Sequence, residues 1–133
     1  MKKFLLTCIA VACSLVAVAE ELLIEAESFS QRGGWVIDQQ FMDQMGSPYL
    51  MAHGMGIPVA DATAEINIPQ AGTYYVYART YNWTSPWTDA EGPGKFRLAL
   101  SGKLLKATLG HTGNSWQWQF AGKTVLKAGT TTL

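Results

Sequence analysis

Hydrophobic and polar positions alternate most clearly in the middle of the chain. Ala64, Ile66 and Ile68 alternate with Thr63, Glu65 and Asn67, and Pro69-Gln70-Ala71-Gly72 closes that run as a turn. Tyr74, Val76 and Ala78 then alternate with Tyr75, Tyr77 and Arg79, which predicts a strand with aromatic residues on both faces. Phe96 to Leu100, a Ser101-Gly102 turn and Lys103 to Leu109 predict a hairpin. Gly110 to Asn114 reads as a loop, Trp116 to Leu126 as a strand or bent strand pair, and Thr130 to Leu133 as the start of another. Nearer the N-terminus, Leu22-Leu23-Ile24-Glu25-Ala26-Glu27 predicts a first strand with acids at alternate positions, and Trp35-Val36-Ile37 a short apolar piece after the Gly33-Gly34 turn.

Residues 38–62 follow neither period. Asp38 is placed to cap one helical turn carrying Phe41, Met42 and Met45, and the rest is broken by Gly and Pro. A connection this long is usually functional or folded on itself. With Tyr49, Met51 and Met55 it carries too many apolar groups for a solvated loop, so it is expected to pack over the domain, bending at Gly46, Gly54 and Gly56. Short strands at regular spacing with Gly and Pro turns point to an all-β fold, an antiparallel jelly-roll-like β-sandwich. Because alternation is still being set up at Thr130 to Leu133, the chain is expected to be an N-terminal fragment whose closing strands lie beyond Leu133. An unblunted sheet edge there predicts a marginal or aggregation-prone domain.

Lys2 and Lys3, the apolar run Phe4 to Val18 and the Ala17-Val18-Ala19 motif read as a secretory signal peptide over residues 1–19, leaving a mature domain over 20–133 with no membrane span. A membrane anchor and a lipoprotein cut before Cys13 are the alternatives. The expected location is secreted, periplasmic or on a bacterial cell surface. Cys8 and Cys13 leave with the leader, so the mature part has no disulfide and no thiol chemistry. Loss of Lys2 and Lys3 from ten basic and ten acidic residues leaves a net charge of −2, which argues against a nucleic-acid partner.

The inventory for catalysis is thin. His53 and His111 stand in Gly-flanked loops, and Ser47, Ser85, Ser101 and Ser115 lack a nucleophile-elbow context. Asp89 and Glu91 have the residue types of a glycosidase pair, but a Gly-Pro loop is a poor holder for catalytic geometry. That loop, "NWTSPWTDAEGPG" at 82–94, places Trp83 and Trp87 among small polar and acidic residues. Indole faces stack on sugar rings, and Asn82, Asp89 and Glu91 supply groups for hydroxyls, with Arg79 reaching toward the same rim. The competing reading is that the indoles pack as a lid or against a second domain, since Trp rarely stays fully exposed. Tyr75, Tyr77 and Trp116 read as sheet residues and Trp118 as core.

Three pieces carry a family resemblance: "IEAE" at 24–27, "AGTYYVYART" at 71–80 and "WQWQFAGKTVLKAGTTTL" at 116–133. In that order they resemble carbohydrate-binding modules of families 6 and 35, of the galactose-binding-like sandwich group. That resemblance implies a glycan partner and a structural calcium held in part by Glu25 and Glu27, with a further acid near the C-terminus. Residues 33–63 with "RTYNWTSPW" at 79–87 are also similar to the N-terminal domain of secreted bacterial FAD-dependent oxidoreductases. In that family the sandwich precedes a dinucleotide-binding domain. The G-x-G-x-x-G fingerprint is lacking here, so FAD would belong to a catalytic domain beyond Leu133. The combined expectation is a non-catalytic accessory domain of an exported FAD-dependent oxidoreductase that positions a glycan or glycoside, with a stand-alone carbohydrate-binding module as the alternative.

Overall fold

The computed structural model describes residues 20–133 apart from Met55 and residues 88–90, so residues 1–19, where a signal peptide is expected, and Asp89 lie outside the described residues. Eight strands are described: β1 (Trp35–Asp38), β2 (Tyr49–Ala52), β3 (Glu65–Ile68), β4 (Gly72–Thr80), β5 (Ala99–Leu100), β6 (Lys103–Leu104), β7 (Gln117–Leu126) and β8 (Gly129–Thr132). The helical content described is a single 3-10 turn, Ala26–Ser28, and a single turn of α-helix, α1 (Met42–Met45). Every named pairing is antiparallel: β1 with β2, β3 with β8, β4 with β7 and β5 with β6. The fold is thus an all-β antiparallel sandwich. Among the described residues no helix is long and apolar enough to cross a membrane.

Alternation explains how the layers form. Tyr74, Val76 and Ala78 of β4 face a core of Ile68, Leu100, Leu105, Leu109, Ala121 and Leu126, while Tyr75 and Tyr77 face out. Each fully buried Leu or Ile removes enough apolar surface to contribute about 1.5–3 kcal/mol. The β5–β6 hairpin turns on Ser101 and Gly102, both with positive φ (52° and 74°), the signature of a type I′ turn that matches strand twist. In the β4–β7 ladder Val76 pairs with Gly122 but Tyr77 pairs with Phe120, so Ala121 is an extra residue on β7. Gly122, at φ 147°, accommodates this bulge.

That bulge corrects one expectation. Strict alternation back from Leu126 would put Trp118 inside, but the extra residue reverses the parity, and Trp118 is 58% exposed. The predicted first strand is also absent. Residues 20–25 run without strand pairing, Leu22 and Leu23 are exposed, and a 3-10 turn takes residues 26–28. The alternating acids there had no paired neighbour to hold a strand.

The long connection is more structured than its pattern predicts. β2 lies within it, paired to β1 from Trp35↔Ala52 to Asp38↔Tyr49. α1 forms where a helical turn was expected, yet Asp38 does not cap it: Phe41 occupies the N-cap without a side-chain bond. Instead the Asp38 carboxylate accepts from the Gln40 amide (3.2 Å) and from the Tyr49 phenol. Phe41 packs edge-on against Tyr81 (5.1 Å), Tyr49 is buried, and Gly46 closes α1 in the left-handed region at φ 94°, so the segment folds over the domain as expected. Met55 lies outside the described residues.

Gly33 sits at φ 55°, and a Cβ there would run into the backbone carbonyl oxygen of Asp61. Gly33→Ala is expected to destabilise by more than about 2 kcal/mol, since both the dihedral and the backbone must give; a urea melt coincident with wild type would refute this. Burial and the hydrogen bond to Asp38 push the Tyr49 phenol up to about 12 from 10.0. A raised pKa means that the folded state favours the protonated phenol. Its contribution is complete below pH 10 and fades between pH 10 and 12. Tyr49→Phe is expected to cost about 1–2 kcal/mol by leaving Asp38 and the Phe41 amide short of a partner, and to remove the latest-titrating component of the tyrosinate absorbance curve.

Candidate functional site

β4 delivers the chain at Thr80 into the aromatic loop at one end of the sandwich. Asn82 is 4% exposed, and its Oδ1 accepts from the Thr84 hydroxyl at 2.8 Å. Two short turns follow, with the Ser85 amide donating to Asn82 O and the Trp87 amide to Thr84 O, both at 3.0 Å. Gly92 packs against this knot: a Cβ there would collide with Asn82 Oδ1. Its amide donates to His111 O at 2.8 Å, joining the loop to the 110–114 loop. Asn82 is therefore an internal anchor.

On that anchor Trp83 and Trp87 stand 47% and 73% exposed, ring centroids 5.8 Å apart and planes at 71°. The edge of one indole abuts the other, so Trp83 props Trp87, which keeps most of its surface free. Glu91 bonds to Lys95 Nζ at 2.7 Å and lies 3.4 Å from His111 Nδ1. The Lys95 hydrogen bond, then the charges of Lys95 and His111, hold the Glu91 carboxyl below the ordinary carboxylate range. The bridge thus persists as pH falls through the ordinary range and breaks only at the lower folded pKa. Gln119 steadies the same end: its Oε1 accepts from the Gly110 amide (2.9 Å) and its Nε2 donates to Thr112 Oγ1 (3.1 Å).

Arg79 points elsewhere than toward the indoles. Nη1 donates to Met45 O at 2.8 Å and Nη2 reaches Gln44 O at 3.5 Å, so the guanidinium closes the C-terminal end of α1. Trp116 stacks on Tyr81 (5.5 Å, 28°) and meets Tyr49 edge-on (4.9 Å), an aromatic column that ties the long connection to the start of β7. Trp116 Nε1 is buried without a partner among the described residues. His53 is exposed between β2 and Gly54, apart from His111 in sequence and in element.

Glu25 is exposed just before the 3-10 turn and Glu27 half-buried within it, so they are not two strand neighbours on one face. Among the described residues no group of three or more His, Cys, Asp or Glu converges to hold a metal ion. Two carboxylates fall short of the six to eight oxygens that calcium takes, and a site at Glu25 and Glu27 needs further ligands. A cavity of about 400 Å³ lies at the opposite end of β7, lined by Ser101, Val125, Leu126, Lys127, Ala128, Thr130 and Thr131. It holds no pair of groups suited to acid–base chemistry.

No family model matches the chain, and no curated protein matches it. Among solved structures, it is similar to the Podospora anserina GH26-CBM35 β-(1,4)-mannanase, with a TM-score of 0.59 and 19% identity over 82% of this chain. The match spans 22% of the mannanase chain. That likeness shows a β-sandwich fold shared with part of the mannanase chain.

Proposed function

We propose that the domain binds carbohydrate as a non-catalytic module through the loop that carries Trp83 and Trp87. The observation that carries this reading is the exposed indole pair on an internally tied loop. Two large rings held in the open by Asn82, Thr84 and Gly92 make a surface for a ligand with flat apolar faces. Pre-ordering of the loop lowers the conformational cost of binding. The fold shared with the mannanase is consistent with this role. Glu91, held by Lys95, remains exposed at the rim as a hydroxyl acceptor.

The finer reading places the module ahead of the catalytic domain of an exported FAD-dependent oxidoreductase, where the same indoles would help present a glycan or glycoside. It rests on the sequence similarity of residues 33–63 and 79–87. A G-x-G-x-x-G following a strand, read in the coding sequence after Leu133, supports it; its absence there refutes it.

The binding reading is tested by affinity electrophoresis of the mature protein through gels containing mannan, xylan or other plant polysaccharides. Retardation by at least one neutral polysaccharide, lost in Trp87→Ala, is the expected result. Absence of retardation throughout, with Trp87→Ala and Trp83→Ala both strongly destabilised, would instead identify the loop as a packing surface. A third expectation concerns the anchor: Asn82→Ala should weaken glycan binding without removing any exposed surface, because Thr84 and Gly92 lose the group they close upon.

A further inference from the structure

The two long strands differ at their second edges. On the side of β7 away from β4, the Ala107 amide donates to Ala121 O at 3.3 Å, and the bulge at Ala121 interrupts the row of backbone groups. On the side of β4 away from β7, no backbone hydrogen bond from another strand arrives among the described residues. In an antiparallel strand alternate residues aim both N–H and C=O to the same side. Alternate residues of β4 therefore present unpaired backbone groups along a strand of nine residues, roughly 30 Å at strand rise.

The shorter strands carry the devices that keep a sheet edge from pairing with another chain, namely short length, charge and proline. β1 has four residues and Asp38, β3 has four and Glu65, and β6 has two and Lys103. Pro48 stands immediately before the four residues of β2. β4 has none of these devices: it contains no Pro, Asp, Glu or Lys. Its single charged residue, Arg79, is drawn to the carbonyls of Gln44 and Met45, so α1 closes only the C-terminal end of the strand.

The occupant that fits this edge is the same edge of a second copy, antiparallel about a twofold axis near Tyr75 and Val76. Such a contact is self-complementary. It sets Tyr75 and Tyr77 of one copy beside those of the other on the outward side, where aromatic cross-strand pairs are favourable. The two Arg79 residues then lie roughly 20 Å apart along the joined strands, so no like charges are opposed. Stacking the outward faces of two copies is the poorer arrangement. It would cover both Lys123 ammonium groups against strands that hold no carboxylate. Pairing at the edge leaves Lys123 in water.

We propose that β4 is a self-association edge, through which two copies join into one antiparallel sheet of order β7–β4–β4–β7. The antiparallel arrangement sends the two chains out of β4 at opposite ends of the joint, so the two Trp83–Trp87 loops face away from each other. Resting on the carbohydrate reading above, this makes the dimer bivalent for a polysaccharide that can reach both loops, a gain in avidity without new contacts.

The test is sedimentation equilibrium of the mature protein without glycan, with thermal melts of each variant, so association and carbohydrate binding can each fail alone. Wild type should show a concentration-dependent monomer–dimer equilibrium. Tyr75→Glu with Tyr77→Glu changes two exposed side chains and lines the joint with carboxylates. It should raise the dimer Kd more than about tenfold. Tyr75→Lys with Tyr77→Lys should do the same, and an equimolar mixture of the two double variants should dimerise again. Trp118→Ala, on β7 and away from the joint, should leave the dimer intact. Should the double variants fold poorly, amide hydrogen exchange of wild type still decides: alternate amides within residues 72–80 should gain protection as concentration rises. A wild type that stays monomeric at every concentration overturns the proposal. So does a dimer that both double variants keep, or concentration-independent exchange in β4. A dimer that Trp118→Ala abolishes also overturns it and would assign association to the stacked faces.

Discussion

Trp87→Ala is expected to abolish detectable glycan binding while shifting the melting temperature by no more than about 3 °C, because the side chain is 73% exposed and little burial is lost. A central aromatic anchor typically carries about 2 kcal/mol or more of a binding energy, about thirtyfold in Kd, enough to take a weak sugar interaction below detection. Trp83→Ala should behave differently. Trp83 is only 47% exposed and its ring supports Trp87 at 5.8 Å, a contact worth about 0.5–1.5 kcal/mol beyond area. Its loss should lower both binding and stability. Isothermal titration with paired melts separates the two variants. If instead Trp87→Ala lost about 3 to 5 kcal/mol of stability, the indole would be a packed residue and the binding assignment would fail.

Leu109→Ala should be the most damaging change to the scaffold. Leu109 is 2% exposed, and its backbone exchanges two hydrogen bonds with Phe96, at 3.2 and 2.9 Å. Truncation removes methyl groups from a packed interior and leaves a cavity, at about 2–5 kcal/mol. For a domain of about this size that corresponds to a fall of some 10 °C or more in melting temperature, against a total stability of about 5–15 kcal/mol. Gly110 and His111 follow directly, and His111 O holds the Gly92 amide. The same variant should therefore loosen the Trp loop and weaken glycan binding at temperatures where the domain is still folded. Calorimetry alongside binding measured well below the melt checks both parts, and a variant within about 1 kcal/mol of wild type would show that the site repacks.

Alternation is a local property, and the elements that depended on it alone could be read directly. The inward set Tyr74, Val76 and Ala78, the turn at Ser101-Gly102 and the class of fold all follow from side chains repeating every second residue and from glycines that accept positive φ. Trp83 and Trp87 were likewise legible as a loop pair, because Pro86 and the surrounding small polar residues leave no regular element for them.

Pairing is not local, and what depends on it was decided only in three dimensions. Residues 22–27 had the pattern of a strand but gained no described partner, while Tyr49–Ala52 had no clear pattern and became a strand because β1 lies beside it. Arg79 was placed at the rim by alternation, yet the carbonyls of Gln44 and Met45, more than thirty residues away in sequence, take its guanidinium. Asn82 reads as a ligand group by type and is an anchor by burial. Trp118 reads as core until one extra residue at Ala121 turns it outward; Gly122 inside a strand pattern was the available hint of that bulge. The sequence by itself determined the fold class and the loop that bears the indole pair, since both rest on short-range periodicity and turn chemistry. Only the tertiary structure decided which aromatic rings meet solvent, because a single residue inserted in one strand inverts the facing of every side chain beyond it.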